Sequence, residues 1–363
     1  MPKKILHIEV LRILAVLGIM YSHTGFRGHD AYSCTDSTVT FMASLALACV
    51  STCGVELFWM ISGSLLLGGE ACAREVYKKR VIRFLKVLLI FSLIRYFYDW
   101  FMGVYGTSVY WGDAYGVKAG AGQVHIGVWD FFIRFISGSI FVPYWFLYYF
   151  IGILILLPFI RKLFRAMTMD EWRLLLLLEF IFLVVVEPAE IVLHTHLEIP
   201  FYVPGPVNSF ILGYAAEKVI SGDALKKSRN LVLIACVVVT VVLFKCIVTI
   251  MLGNPIGADR IVYTEVCNQP IAFCVLLLAR GLALKLGECP KRMARIICYI
   301  GGCTFGIYLL EDYLRQLLAF IDDDLTPILT VMPACIVWIV CSYVAGIIVV
   351  GALKILPGLK KLI

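Results

Sequence analysis

Charge is scarce in this chain of 363 residues: Asp, Glu, Lys and Arg make up 16% of it, against about 25% in an ordinary soluble domain. The apolar share is 61%, where about 45–50% is usual. A water-solvated globule with one enclosed core is therefore excluded, and the apolar surface is expected to face lipid. The thirteen cysteines include no C-x-x-C pair, which removes the commonest zinc and dithiol motifs. They read as buried thiols that behave as small hydrophobes, and only Cys34 and Cys267, on or near one side, could pair. The start MPKKILHIEV has basic residues before an apolar run, but no small-residue cleavage site follows before His23 and Arg27. It reads as a retained first span rather than a removed signal. No low-complexity segment, internal repeat or appended soluble domain is visible, so 1–363 is expected to be a single transmembrane domain.

What is present is a series of apolar stretches near 5–25, 40–68, 82–103, 142–160, 172–189, 203–220, 230–252, 267–287, 296–318 and 331–354. Each approaches the roughly 20 residues a helix needs to cross a bilayer. The expected fold class is all-α, a polytopic membrane bundle of about ten transmembrane helices. Basic residues gather on every second connection, at Lys3 and Lys4, at Arg74 to Arg80, at Arg161 to Arg165, at Lys218 to Arg229, at Lys291 to Arg295, and at Lys360 and Lys361. By the positive-inside rule those connections and both termini are cytoplasmic. The formal net charge of +7 reflects this bias and argues against a nucleic-acid partner.

The first stretch, HIEVLRILAVLGIMYSH, carries Glu9, Arg12 and His23. A charge at mid-bilayer costs roughly 3 kcal/mol on the lenient insertion scale, so such groups are normally kept inside a bundle beside a partner or a polar path. Eleven helical steps bring His23 within about 20° of Arg12, and three steps put Glu9 about 60° away, so the three share one face. Arg12 and His23 are about 16 Å apart along the axis, roughly half of a hydrocarbon core about 30 Å thick. In GVELFWMISGSLLL, Glu56 lies at a depth comparable to Arg12, which makes the two natural partners. Glu56 either locks two helices or belongs to a site.

Farther on, AREVYKKRVIRFLKVLL interleaves Lys79, Arg80, Arg83 and Lys86 with apolar residues at helical spacing. It reads as a basic amphipathic helix, suited to anionic lipid or to a phosphorylated ligand, because Arg forks pair phosphate oxygens bidentately. The Gly- and aromatic-rich segment from about 103 to 142 exceeds normal loop length and suggests a cap or re-entrant piece. Glu187, Glu190, His194, His196 and Glu198 form a second outer cluster, but their spacing is not that of a zinc site, and no metal is expected.

Together these residues resemble the acyltransferase-3 group of integral-membrane proteins, which includes sugar and peptidoglycan O-acetyltransferases. EVLRILAVLGIMYSH is similar to its first-helix signature of an acid, an Arg and a His eleven positions later. GVELFWMISGSLLL resembles its Ser-Gly run, placing Glu56, Ser62 and Gly63, and KKRVIRFLK its basic segment. PYWFLYYFIGILILLP with Trp145, FILGYAAEKV, and GGCTFGIYLLE with Tyr308 complete six matches in order, over about nine-tenths of the chain. The chain departs from the pattern at Glu311, where many members have His.

The resemblance implies transfer of an acyl group, most often acetyl from cytoplasmic acetyl-CoA, to a hydroxyl of an envelope glycan or lipid-linked sugar, in a cell membrane of bacterial cytoplasmic type. His23, Arg12 and Glu56 are then the expected catalytic residues, and Arg80, Arg83, Lys79 and Ser62 the expected acyl-CoA contacts. Glu9, Trp145, Tyr308 and Glu311 are expected to support the substrate or the residues around it, Glu9 by holding Arg12 or shaping the cytoplasmic mouth. An imidazole with an ordinary pKa near 6.5 serves either as general base on the hydroxyl or as acyl-carrying nucleophile. The rival class is a transporter or flippase, whose intramembrane ionisable groups would carry protons or solute.

Overall fold

A computed structural model describes residues 5–101, 127–181, 205–251 and 267–362. It is 85% helical, and no strand occurs among the described residues. Among the described residues, five helices are long and apolar enough to cross a membrane: Thr38–Leu66, Val142–Ala166, Ser228–Met251, Asn268–Leu286 and Val331–Leu353. A sixth is gained if Lys291–Gly301 and Thr304–Leu317, bent by 54° at their junction, count as one span. The remaining expected stretches also carry helices, but with weaker credentials. Leu6–Ser22 has only 17 residues, and Ile82–Phe101 includes Arg83, Lys86, Arg95 and Asp99. Met169–Ile181 and Gly205–Lys218 each border residues outside the described set. Of the Gly- and aromatic-rich segment expected at about 103–142, the part up to 126 lies outside the described set and the rest includes the helix Val128–Ser137, while the acid and histidine cluster at 187–198 lies wholly outside it.

The helices group into two compact units, one made of Met1–Gly69 with Leu163–Ile347 and the other of Glu70–Lys162 with Ile348–Ile363. In the first unit, Ile8, Leu11 and Ala15 pack with Met60, Ile61, Ala216, Ile271 and Leu276 in an apolar core. Two glycines allow the backbones of Gly54–Leu66 and Gly205–Lys218 to touch. A Cβ on Gly63 would run into the carbonyl of Phe210, and one on Gly213 into that of Met60. Small residues of this kind are how membrane helices gain dispersion contact when the hydrophobic effect no longer drives them together.

The stretch expected as one span at 40–68 is one candidate span, Thr38–Leu66, interrupted at Thr52 and Cys53 between the helices Thr38–Ser51 and Gly54–Leu66. A break strands carbonyls at the end of the first helix. Lys245 meets one of them, its Nζ 3.2 Å from Cys49 O, and also donates to Thr52 Oγ1 at 2.6 Å and to Asn268 Oδ1 at 2.7 Å. A cation at a helix C-terminus is also favoured by the helix dipole. The helix Met169–Ile181 opens with a capping box in Thr-Met-Asp-Glu: the backbone N–H of Thr168 donates to Glu171 Oε2 at 2.5 Å, and that of Glu171 to Thr168 Oγ1 at 3.3 Å. These bonds hold the Glu171 carboxyl below the ordinary carboxylate range.

The second unit contains Ala73–Val76, a π turn at Tyr77–Val81, Ile82–Phe101, Val128–Ser137 and the helix Trp145–Ala166 as far as Lys162. Phe84 meets Phe150 edge to face at 4.8 Å. Arg161 Nη1 donates to Ala71 O at 3.0 Å. An ion pair between Arg95 and Asp99 at 2.7 Å is buried in this unit, with the guanidinium 4.1 Å from the Phe141 ring centre.

Candidate active site

His23 caps the C-terminal end of Leu6–Ser22, where its backbone N–H still donates to Ile19 O at 3.1 Å. The side chain is 12% exposed, and its Nδ1 bonds to Oε1 of Glu311, a carboxylate only 2% exposed. An ionised carboxylate only accepts, so Nδ1 carries the proton and the basic lone pair falls on Nε2. The pairing spans 288 positions of sequence.

Thr304–Leu317 brings a second polar set to the same place. Arg315 lies one turn after Glu311, 1% exposed, with Nε 3.8 Å from Glu311 Oε2. Its Nη1 donates to the backbone carbonyl of His23 at 2.6 Å, and its Nη2 lies 3.4 Å from Asp312 Oδ1. Trp338 Nε1 in turn donates to the carbonyl of Arg315 at 3.1 Å. One buried guanidinium thus touches both members of the His23 and Glu311 pair. This compensates charges that the apolar surroundings would otherwise penalise heavily. The helical spacing of Glu311, Asp312 and Arg315 was visible in the sequence, but nothing there tied Arg315 to His23.

Toward the other end of the first helix, Arg12 Nη1 donates to Glu9 Oε1 at 3.0 Å. This corrects the expected pairing of Arg12 with Glu56. Glu9 is the nearer partner because it lies one turn back on the same face, and Glu56 instead accepts from Ser209 Oγ. Glu56 therefore ties Gly54–Leu66 to Gly205–Lys218 beside the two glycines. Ser62 is half-buried on the first of those helices. Tyr308 stacks on Phe305 with ring centres 6.4 Å apart.

The other expected residues belong to the second unit. Lys79 pairs with Glu75 at 3.0 Å on the surface, and Arg83 donates to Leu362 O at 3.2 and 3.0 Å. Arg80 lies on the π turn, and Trp145 meets Tyr149 edge to face at 5.6 Å. Cys34 and Cys267 are not joined by a disulfide. Among the described residues no cluster of His, Cys, Asp and Glu has the make-up of a metal site.

A buried polar network that sequence reading missed joins several helices of the first unit. Asn208 Nδ2 donates to Glu179 Oε2 at 2.6 Å and to Gln269 Oε1 at 3.1 Å, and Gln269 Nε2 to Gly205 O at 3.0 Å. Each of these polar residues lies in an otherwise apolar helix, and only their convergence in space marks them.

A family model described as an acyltransferase domain matches residues 5–347. Comparisons with curated proteins and with solved structures give no match. The match takes in the His23 and Glu311 pair as well as the basic stretch of the second unit, and it decides for a group-transfer enzyme over a transporter. With its several apolar helices, the chain belongs to the acyltransferase-3 family and is a membrane O-acyltransferase.

Proposed function

We propose that the protein moves an acyl group, acetyl in the first instance, from cytoplasmic acyl-CoA to a hydroxyl of an envelope glycan or lipid-linked sugar. The observation that carries this reading is the pair of His23 and Glu311 with Arg315 behind it, a base oriented by a carboxylate that is itself held by a guanidinium. In the proposed step, Nε2 of His23 takes the proton of the acceptor hydroxyl as its oxygen attacks the thioester carbonyl. The C–O bond forms, the C–S bond breaks, and the proton passes from the imidazolium to the departing sulfur. Glu311 stabilises the imidazolium while it exists, as the carboxylate of a catalytic triad does. Direct attack by Nε2, with an acyl-imidazole as carrier, would use the same lone pair.

Arg12, held by Glu9, shares the His23 face of the first helix and is assigned to the polar path of the acyl donor. Lys79, Arg80 and Arg83 are assigned to its phosphates, supported by the affinity of guanidinium forks for phosphate oxygens. Glu56 and Ser62 are assigned to the helix crossing that keeps this path in register. Trp145 and Tyr308 are assigned to lining the substrate. A chain of about ten spans with both termini in the cytoplasm, in a bacterial cytoplasmic membrane, is the topology this scheme needs, and the distribution of Lys and Arg supports it.

The test is mass spectrometry of cell-envelope glycans and lipids, comparing cells that carry the protein, lack it, or carry His23→Ala. An acetyl mass shift present only with the wild-type chain is expected, since losing a general base typically lowers the rate by about 10²–10⁴-fold. Near-normal acetylation by a well-folded His23→Ala protein would falsify the assignment.

A further inference from the structure

Four residues beyond His23 in the chain, in the same unit, Arg27 lines an open cavity of about 400 Å³, within the usual range of roughly 300–1,000 Å³ for small-molecule sites. One side is apolar, formed by Phe26, Pro327 and Val331, and the other carries Arg27, Asp322 and Asp323. Arg27 Nη1 lies 3.3 Å from Asp322 Oδ2 and 2.6 Å from Asp323 Oδ1. Two carboxylates share one guanidinium, so the polar side is net negative. Asp322 is 4% exposed, and its Oδ1 has no hydrogen-bond partner, an arrangement that normally costs stability and calls for an explanation.

The cavity is mechanically tied to the reacting histidine. Arg27 follows His23 by four residues, on the short turn Gly25–Arg27. Its guanidinium lies 5.7 Å from the ring centre of Trp338, the indole that donates to Arg315, whose own guanidinium holds the carbonyl of His23. Cavity and base therefore share one frame.

We propose that this cavity is the acceptor subsite, and that it takes a hydroxyl-rich group that is neutral or cationic and rejects one that carries an anion. The inference rests on the acyltransferase reading of His23. Carboxylates accept hydrogen bonds from hydroxyls, and an apolar wall with an exposed aromatic ring suits the C–H face of a sugar. The same net negative charge makes the cavity unfit for the phosphates of the acyl donor. It separates the two substrates by electrostatics, with the repulsion of like charges serving as the discriminating element.

The experiment uses the full chain in phosphatidylcholine nanodiscs with acetyl-CoA and four acceptors: methyl glucoside, methyl glucosaminide, methyl glucuronide and a long-chain alkyl glucoside. Transfer is read by mass spectrometry and binding by tryptophan fluorescence. The glucoside and glucosaminide should exceed the glucuronide by at least about tenfold in kcat/KM, the scale of one unscreened charge contact. Asp323→Asn should narrow that gap and Asp323→Lys should close or invert it, with the KM for acetyl-CoA at its wild-type value. Asp323 is exposed, so both variants should fold even if changes at Asp322 do not. Better use of the alkyl glucoside than of the methyl glucoside would identify a lipid-linked acceptor, and equal use a free glycan. Equal use of glucuronide and glucoside by the wild type, a preference unmoved in both Asp323 variants, or no binding of any glycoside overturns the subsite. A His23→Ala arm keeps the two claims apart. If that variant transfers normally the catalytic reading fails, whereas loss of transfer with unaltered charge preference in the Asp323 variants removes only the subsite.

Discussion

Both ends of the first helix carry a histidine against a glutamate with an arginine behind it, yet the two sets are built differently. At one end, His7 Nε2 bonds to Glu217 Oε1 at 2.7 Å, and Arg280 Nε lies 3.5 Å from Glu217 Oε2. Arg280 Nη1 also reaches the carbonyls of Ala216 at 2.5 Å and Ile220 at 2.9 Å, which end the Gly205–Lys218 helix. That arrangement closes a helix terminus, and the carboxylate occupies the outer nitrogen of the ring. At the other end Glu311 takes Nδ1, which puts the lone pair on the outer nitrogen, and Arg315 steadies the histidine itself. Which ring nitrogen the carboxylate holds, more than the presence of the pair, separates a structural clamp from a base.

Charge-neutral exchange of the two glutamates gives the largest contrast. In Glu311→Gln the amide can donate to Nδ1, which moves the ring proton to Nε2 and leaves the wrong tautomer for a base. kcat should fall by about 10²-fold or more with little change in the KM for acetyl-CoA. Glu217→Gln should leave kcat within about threefold while lowering stability by roughly 1–3 kcal/mol, the scale of a charged hydrogen bond. Comparable losses of kcat in the two variants would erase the distinction between the ends. A smaller effect is expected in the second unit, where replacing Arg80 and Arg83 together by Gln alters neither histidine. Calorimetry should show acetyl-CoA binding weakened by about tenfold or more, given roughly 1.5–3 kcal/mol for a charge-assisted bond. Unchanged affinity would leave those arginines as lipid anchors. The smallest effect sets the scale of a purely local change: Thr168→Ala removes half of a capping box and should lower Tm by about 1–3 °C with activity intact. Glu171 has a depressed carboxyl pKa in the folded chain. Its contribution is therefore complete above the unfolded pKa and is lost as pH falls through the folded one, so the Tm difference should shrink in acid.

The capping box illustrates what can be read directly from the chain, since its partners are three residues apart and a helix fixes their geometry. The same holds for Arg12 and Glu9, for the shared face of Arg12 and His23, and for Gly63, whose place in a Ser-Gly run matches the close crossing it permits. Glu56 shows where such reading stops. Depth along two helices suggested Arg12, but depth says nothing of rotation, and the side chain faces Ser209 instead. Glu311 looked like a departure from the family pattern, and its role as the partner of His23 emerges only when a residue 288 positions away is brought alongside. Arg315, Lys245 and Asn208 were hidden for the same reason. The break at Thr52 was also missed, because the apolar run continues through it and the lysine that meets its loose carbonyl belongs to another helix.

Of the two histidines on the first helix, only His23 is expected to perform acyl transfer. The most direct test is CoA release by purified protein in nanodiscs, given acetyl-CoA and a hydroxyl acceptor, with His23→Ala and His7→Ala measured side by side. Acceptor-dependent CoA release should fall by about 10²–10⁴-fold in His23→Ala and stay within a few fold of wild type in His7→Ala, which should instead melt at a lower temperature. Undiminished release from His23→Ala, or its loss in a stably folded His7→Ala, would contradict this assignment.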